Sequence, residues 1–278
     1  MSWIAVARKD FRDASRSRAL WTLTVLFTLL VVGIVFFFAE IAGGANAGFE
    51  ALLGSFVGPL FLLLPLAGIL VGYKSIVGER ESGSVKLLLG LPHTRGEVIF
   101  GKLVGRSAVV GTAVLIGYLV GSIAFVVLVG VFQPVDYLLF VGMTLLLGVT
   151  YVAIAVGLSA SSGSSSLVLA IAVGLVVMFT LLWETLSMTL LPYVLGPQVL
   201  GLGRQTVAEI SSFVMTASPR IAFVQGLSFL LSIGGNVPSM SGAEGHVWLQ
   251  DWWGFVVLAF WIVVPVAIGY WRFSRADL

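Results

Sequence analysis

The sequence predicts an all-α integral membrane protein that crosses the bilayer about six times. Hydrophobic residues make up 59% of the 278 residues and charged residues 10%, and the mean hydropathy is +1.08. The apolar residues occur in charge-free runs of about 18 or more, close to the roughly 20 that a helix needs to cross ~30 Å of hydrocarbon. This composition excludes a soluble domain.

Each predicted span is one such run, and together they form a single transmembrane domain over residues 1–278. The runs are Trp21 to Ala39, Val57 to Tyr73, Ser107 to Phe132, Tyr137 to Leu158, Leu167 to Leu191 and Gly254 to Trp271. A seventh apolar segment, Ile221 to Ile233, has only about 13 residues and is interrupted by polar ones. Segments of that length are typically interfacial or re-entrant, so we do not count it as a span.

The distribution of basic residues predicts the orientation. Thirteen of the 15 lysines and arginines lie before the first span, between the second and third, or after the last. Short loops rich in Lys and Arg stay in the cytoplasm. We therefore expect a multi-pass protein of the plasma membrane with both termini cytoplasmic, which requires an even number of spans.

Residues 1–20 predict an amphipathic helix lying on the cytoplasmic leaflet. At helical spacing they carry one apolar and one basic stripe. The stripes are Trp3, Ala7, Phe11 and Ala14, and Arg8, Arg12 and Arg16. A solvated basic tail is the alternative. A signal peptide is disfavoured because the apolar run that follows is longer than the usual ~7–15 residues.

The long external segment, residues 192–253, predicts a small helical extracytoplasmic loop before the last span. Four prolines divide it, two short stretches have a helical pattern, and a Gly- and Ser-rich stretch runs from Ser232 to Gly245. Trp248, Trp252 and Trp253 are expected at the membrane interface.

The cytoplasmic loop, residues 74–106, predicts two helices. A short helix over Val85 to Leu89 follows Ser84 as its cap and ends before Pro92. The second helix opens with Thr94 and Glu97, a capping box. Nothing breaks its pattern through the third span, so a helix from Arg95 to Val131 would extend on the order of 55 Å, well beyond the hydrocarbon. An ordinary basic loop is the alternative.

Sequence patterns disfavour catalysis, cofactors and metal binding in this chain. Gly96, Gly101 and Lys102 have the spacing of a P-loop, but Leu103 replaces the Ser or Thr that holds Mg²⁺ and no strand precedes them. The chain has no cysteine and no H-E-x-x-H or G-x-S-x-G motif. Ionisable residues are absent from the middle of the predicted spans, so the driving energy for any transport should come from elsewhere. The net charge of +2 gives no indication of nucleic-acid binding.

The cytoplasmic loop resembles that of the ABC-2 type transporter permeases. The likeness consists of Gly78-Glu79-Arg80-Glu81, then Gly83-Ser84, Leu87-Leu88, Pro92, Thr94-Arg95, Glu97 and Gly101-Lys102. It implies that a separate ATP-binding subunit hydrolyses ATP with Mg²⁺ and contacts this loop. It also implies a second permease copy or homologue. The lipid bilayer and an extracytoplasmic accessory protein are further candidate partners. The Ser159 to Ser166 loop departs from the family by having no charge.

The residues assigned to coupling with the ATP-binding subunit are a cluster of apolar side chains and the charged residues that flank it in sequence. They are Glu79, Arg80, Glu81, Val85, Leu87, Leu88, Leu89, Pro92, Thr94, Arg95 and Glu97. An exposed apolar cluster in a charged loop indicates a surface that binds a partner protein. The charged residues would set the orientation of that partner.

The resemblance predicts a non-catalytic permease subunit of an ATP-driven exporter. The alternatives are a non-transporting assembly or scaffold protein and an ATP-independent channel or carrier. A neighbouring reading frame for a P-loop ATPase would favour the first. Pairs of glycines four residues apart suit close helix packing, mostly within the chain and at least once against a second permease. The pairs are Gly54 and Gly58, Gly68 and Gly72, Gly101 and Gly105, and Gly117 and Gly121.

Overall fold

The computed structural model describes residues 3–40, 48–83, 94–130, 132–196, 199–231 and 245–275. All regular structure in these ranges is helical, which confirms the predicted fold class. In chain order the helices are α1 (Trp3–Ser15), α2 (Arg18–Glu40), α3 (Phe49–Gly72), α4 (Val77–Glu81), α5 (Arg95–Leu128), α6 (Pro134–Ser161), α7 (Ser165–Leu195), α8 (Arg204–Thr216), α9 (Pro219–Leu231) and α10 (Trp253–Ser274).

Six helical segments are long and apolar enough to span a membrane, as the sequence predicts. They are α2, α3 together with α4, α5, α6, α7 and α10. The 34 residues of α5 correspond to about 51 Å, close to the predicted length and longer than the ~30 Å of hydrocarbon that a span must cross. This helix ends before the predicted Val131 because Gly130 adopts a positive φ of 74° and its N–H bonds to the Phe125 carbonyl, a glycine C-terminal cap.

The chain forms two compact units, Met1–Val173 with Trp261–Leu278, and Gly174–Phe260. In the first unit α5 is the central helix, and it packs against α1, α2 and α6. Its glycines allow these close contacts. Gly117 and Gly121 lie against Phe27 and Val31 of α2, where a β-carbon would collide.

The other glycine pairs explain more of the packing in this unit. A β-carbon on Gly68 would lie 2.7 Å from that of Tyr151, and one on Gly72 would lie 2.6 Å from that of Ala155, so α3 meets α6 without a gap. Gly58, in contrast, has no atom within 4 Å of its β-position. Gly101 and Gly105 lie against Val6 and Asp10 of α1 in the same way, so three of the four pairs serve packing within the chain, as predicted.

An aromatic cluster fills the interior of the first unit between α2, α3, α5 and α6. Tyr118 is its centre, with ring centroids 5.3 Å from Phe27 and 6.1 Å from Phe56. Its hydroxyl pairs with Thr144 at 3.2 Å, so a polar group buried in this cluster is satisfied.

The second unit contains the end of α7, followed by α8 and α9. The backbone of α7 is π-helical over Met178–Leu182 and Leu186–Leu190. Trp183 of α7 donates from its indole to the Val214 carbonyl at 3.0 Å. The α8 and α9 axes differ by 86°, and the two helices reach spanning length only as a pair, as a broken span or a re-entrant segment. Residues 221–231 of the predicted Ile221 to Ile233 segment lie in α9, and its last two residues lie outside the described ranges.

Candidate functional site

The basic end of the bundle is the group of elements that carries most of the predicted coupling residues. It comprises α1, α4, residues 159–165 and the adjoining ends of α5 and α10. All of these elements belong to the first compact unit. Their contacts are described from the N-terminal helix onward.

Helix α1 packs directly on the first turns of α5. A β-carbon on Gly101 would lie 2.7 Å from that of Val6 and 2.8 Å from the Trp3 carbonyl oxygen. One on Gly105 would lie 3.0 Å from the Ala7 carbonyl oxygen. The two glycines thus form a flat surface on which α1 rests. The buried face of α1 contains Val6, Ala7, Asp10 and Ala14.

Asp10 is the centre of a buried ion-pair network. Its carboxylate accepts a hydrogen bond from Arg106 Nη2 at 3.0 Å, and its Oδ2 lies 2.8 Å from Arg106 Nε in an ion pair. The Lys102 ammonium lies 3.5 Å from the same carboxylate and 2.7 Å from Glu79 Oε1. Asp10 is 6% exposed and Lys102 3%. The two cations and two anions balance, as buried charges must.

This network joins three helices. Asp10 belongs to α1, Glu79 to α4, and Lys102 and Arg106 to α5. Arg106 also donates to the Val71 carbonyl at the end of α3, at 3.2 Å. Hydrogen bonds between charged groups are stronger than those between neutral groups. The Arg106–Asp10 contact therefore holds α1 on α5, and the Lys102–Glu79 contact holds α4 on α5.

The three charged residues of the Gly-Glu-Arg-Glu motif make three separate contacts within the chain. While Glu79 pairs with Lys102, Arg80 donates to the Ser162 carbonyl at 3.0 Å. Glu81 accepts from the Ser165 N–H at 2.7 Å. Just before them, the Ser159 hydroxyl accepts from the Ile76 and Val77 N–H groups, each at 3.0 Å. The loop between α6 and α7 thus binds α4 through its backbone and a hydroxyl, without any charge of its own.

The start of α5 has the predicted capping box. The Thr94 N–H donates to Glu97 Oε2 at 2.9 Å, and the Glu97 N–H donates to the Thr94 hydroxyl at 3.2 Å. The next residue, Arg95, donates to the carbonyls of Phe273 and Ser274 at the end of α10. The first turn of α5 is therefore capped and also tied to the last span.

The structure brings part of the predicted coupling set together at the basic end. Glu79, Arg80 and Glu81 lie on α4, and Thr94, Arg95 and Glu97 lie at the start of α5. The short helix predicted over Val85 to Leu89, including Leu87 and Leu88, and the predicted break at Pro92 lie outside the described residues. Directly before them, α4 is a helix that the sequence analysis did not predict.

The P-loop spacing falls within a helix. Gly96, Gly101 and Lys102 all lie inside α5, where Gly101 contacts α1 and the Lys102 ammonium is used in ion pairs. A P-loop instead needs a loop whose N–H groups point at phosphate. Among the described residues, no three His, Asp or Glu side chains are grouped so as to hold a metal ion.

Sequence reasoning missed Asp10, Arg106 and Ser159. The apolar stripe assigned to α1 contains Trp3 and Phe11, whereas the buried face contains Val6 and Asp10. Two signals were available: Lys102 and Arg106 lie one turn apart beside the Gly101 and Gly105 surface, and Asp10 lies on the same face as Val6 and Ala14.

Comparison with known proteins identifies a family that matches nearly the whole chain and relatives that match two thirds of it. The family described as "ABC-2 family transporter protein" matches residues 4–278. The chain is 35% identical over 193 residues to "Probable ABC transporter permease protein NosY" of Pseudomonas aeruginosa, covering 67% of this chain and 70% of that protein. It is 33% identical over 191 residues to the protein of the same name from Stutzerimonas stutzeri, covering 67% and 69%.

These findings confirm the family that the cytoplasmic-loop motif indicates. Within that family, the sequence as a whole resembles the permease subunit of the nitrous oxide reductase maturation transporter, and both relatives are named as NosY permease proteins.

Proposed function

Since this chain belongs to the ABC-2 family of transporter proteins and is a transmembrane permease of an ABC transporter, we propose that it forms half of the translocation pathway of an exporter. In this proposal a separate ATP-binding subunit docks on the basic end and hydrolyses the ATP. The chain itself contributes the pathway and the docking surface, and no catalytic group.

The observation that carries this proposal is the anchoring of the described residues on either side of the segment 84–93. On one side α4 is held by Lys102 of α5 and by Ser162 and Ser165 of the loop before α7. On the other side α5 begins with a capping box, and Arg95 donates a hydrogen bond to the Ser274 carbonyl at the end of α10. A force applied to a segment with anchored ends passes to the helices that hold them.

The central element of this proposal is an apolar contact by Leu87, Leu88 and Leu89 with the ATP-binding subunit. The charged residues of α4 already make contacts within the chain, which supports a role for α4 in holding the segment in place. An apolar group of three leucines would supply affinity through burial, roughly 25 cal/mol for each Å² removed from water. Closure of the ATP-binding subunits would then move α4 and α5 together.

The variant Leu88→Asp tests this docking. We expect it to insert normally but to lose co-purification with the ATP-binding subunit, because burying an unpaired carboxylate costs several kcal/mol. Leu200→Asp is the matched control, since Leu200 is an exposed leucine of the predicted external segment, and it should retain the subunit. Full retention with Leu88→Asp would contradict the proposal.

We also propose that the basic end and both termini face the cytoplasm, while residues 192–253 face outside. The support is the uneven distribution of Lys and Arg. Because the chain has no cysteine, Ser82→Cys and Ser239→Cys report the two sides directly. In intact cells an impermeant maleimide should label position 239 and spare position 82. Labelling of position 82 from outside would reverse the topology.

Nucleotide binding is assigned to the partner subunit. Lys102 is buried in ion pairs with Asp10 and Glu79, so Lys102→Ala is expected to lower stability without a direct effect on nucleotide affinity. The isolated chain should show no saturable ATP binding. Saturable binding that Lys102→Ala abolishes would overturn this assignment.

A second permease copy is expected at the face of α3 that carries Gly58. Gly58 has no atom near its β-position, and Ser55 one turn earlier is exposed. Ser55→Cys should form a disulfide between two copies in the assembled transporter. Gly142→Cys is the control, because Gly142 is equally open but lies on α6. Cross-linking at position 142 and not at 55 would place the second copy elsewhere.

We propose export as the direction of transport, and the support for it is the family resemblance alone. Export predicts that substrate accumulates inside vesicles whose ATP-binding subunits face the external medium that contains ATP. Accumulation only in vesicles of the opposite orientation would show import instead.

A further inference from the structure

Helix α1 and the start of α2 carry a group of exposed basic side chains. They are Arg8, Lys9, Arg12, Arg16 and Arg18. None of the five forms an ion pair with another residue of the described part of the chain, in contrast to the cations of the buried network. A group of basic residues beside a membrane span favours an anionic surface.

An apolar flank of α1 lies beside this basic side. The face that contains Asp10 is buried against α5. Next to it, Ile4 is 49% exposed and Phe11 is partly exposed. At 3.6 residues per turn these two side chains lie within about 20° of each other around the helix. Arg8 and Arg12 follow on the side away from α5, so the exposed surface of α1 is apolar on one flank and cationic beside it.

The contact with α5 places α1 close to the depth of the lipid headgroups. It is made at Gly101 and Gly105, and the charge-free run of the third span begins at Ser107. The contact therefore lies about 3–9 Å along α5 from the start of that run. The headgroup layer on each side of the hydrocarbon is roughly 5–8 Å thick.

Two exposed tryptophans support the same depth. Trp3 at the start of α1 is exposed and contacts the Phe100 ring edge to face, with 4.9 Å between centroids. Trp21 in the first turns of α2 is 61% exposed, and only Arg16 and Ser17 separate α1 from α2. Tryptophan concentrates where the headgroups meet the hydrocarbon.

We propose that the exposed surface of α1 binds anionic phospholipid, with Ile4 and Phe11 among the upper acyl carbons and Arg8 and Arg12 on the phosphate groups. An acidic protein surface would match the arginines alone. The apolar flank at headgroup depth matches a phospholipid as well. The inference is independent of the proposed direction of transport and of the docking segment.

Native mass spectrometry of the purified full-length chain tests the lipid class, with phosphatidylglycerol and phosphatidylcholine added in equal amounts. We expect the chain to retain phosphatidylglycerol preferentially. The double variant Arg8→Gln and Arg12→Gln should reduce that preference by roughly tenfold, because two cations beside the headgroup are lost. Both side chains are exposed, so the fold should be unaffected.

The matched control is the double variant Arg272→Gln and Arg275→Gln. It removes the same charge from exposed positions at the end of α10, and it should keep the preference. Equal retention of the two lipids by the unaltered chain would overturn the proposal, as would equal losses in the two double variants. An unchanged lipid preference in the α1 variant, together with loss of the ATP-binding subunit, would assign this surface to a protein contact instead.

The orientation of α1 is tested separately with nitroxide spin labels on Ile4→Cys and Lys9→Cys of this cysteine-free chain. In vesicles of phosphatidylglycerol and phosphatidylcholine, the label at position 4 should be relaxed mainly by oxygen, which concentrates in the hydrocarbon. The label at position 9 should be relaxed mainly by a water-soluble nickel complex. Equal access of the nickel complex to both labels would show that α1 does not lie on the lipid, and the proposal would be wrong.

Discussion

The basic end and the residue 174–260 unit use their charges in opposite ways. At the basic end, Asp10 and Lys102 are almost completely buried and belong to a network that joins three helices. In the other unit, Arg220 pairs with Glu184 at 2.7 Å, but their side chains are 29% and 49% exposed. Exposed pairs contribute roughly 0–1 kcal/mol, whereas breaking a buried pair costs about 3–5 kcal/mol. The charged side chains of the basic end therefore help to hold its three helices together.

This difference separates two roles within the segment of residues 74–106. The charged motif of α4 is turned toward α5 and toward the residues before α7. The apolar segment that follows it is the part proposed to meet the ATP-binding subunit. We therefore expect substitutions in α4 to act through position and stability, and substitutions at Leu88 to act through partner affinity.

The largest effect is expected from Asp10→Ala. It removes the shared partner of Lys102 and Arg106 and leaves buried positive charge in excess, so the free energy of unfolding should fall by about 3 kcal/mol. Reversible unfolding in mixed micelles measures it. Asp13→Ala is the control, because Asp13 is an exposed residue of the same helix, and it should have little effect. Equal effects of the two variants would show that the network carries no stability.

A smaller loss is expected from Gly101→Ala. The new methyl group would meet the Trp3 carbonyl oxygen at 2.8 Å, which forces α1 away and costs about 2 kcal/mol. Gly111→Ala is the control in the same helix, because alanine favours a helix interior over glycine by up to about 1 kcal/mol at both positions. Its methyl group would meet only Leu145 at 3.6 Å. Thermal unfolding should therefore shift in opposite directions for the two variants, and a parallel shift would contradict close packing of α1 on α5.

Glu97→Ala should cost about 1 kcal/mol, because it removes one half of the capping box. We expect the complex with the ATP-binding subunit to survive while the amount transported per ATP falls, since the junction into α5 becomes looser. Thr94→Ser keeps a capping hydroxyl and should behave like the unaltered chain. Full coupling in Glu97→Ala would show that this junction does not transmit the motion.

The smallest effect is expected from Glu184→Gln in the other unit. The exposed pair with Arg220 should contribute less than about 1 kcal/mol, and raising the salt concentration should reduce its contribution further. Unfolding of this variant at low and high salt measures both. A loss as large as that of Asp10→Ala would remove the contrast between the two regions.

The spans and the start of α5 could be predicted from the sequence because their causes are local. Charge-free runs of spanning length define the helices of the bundle, and Thr94 and Glu97 satisfy each other's backbone within one turn. The glycine pairs were also predictable as packing surfaces. In each case the information lies within a few residues of the feature.

The partners of the charges could not be predicted, because they are distant in sequence. Asp10 meets Arg106 across 96 residues, and Arg80 meets Ser162 across 82. A helical pattern shows that residues share a face but not what covers that face. The stripe of α1 with Trp3 and Phe11 was therefore read as the face that packs on its surroundings, whereas the face that contains Asp10 meets cations of α5. Whether α1 also lies in the interface stays a prediction.

Cross-linking from single cysteines tests the central claim most directly. Leu88→Cys and Gly163→Cys place a photoreactive maleimide on the proposed docking segment and on the neighbouring loop of this cysteine-free chain. Gly163 is a suitable comparison because nothing lies within 4 Å of its β-position. We predict a cross-link to the ATP-binding subunit from position 88 that is much stronger than any from position 163. Strong cross-linking from position 163 with none from position 88 would contradict the account and make the loop before α7 the docking element.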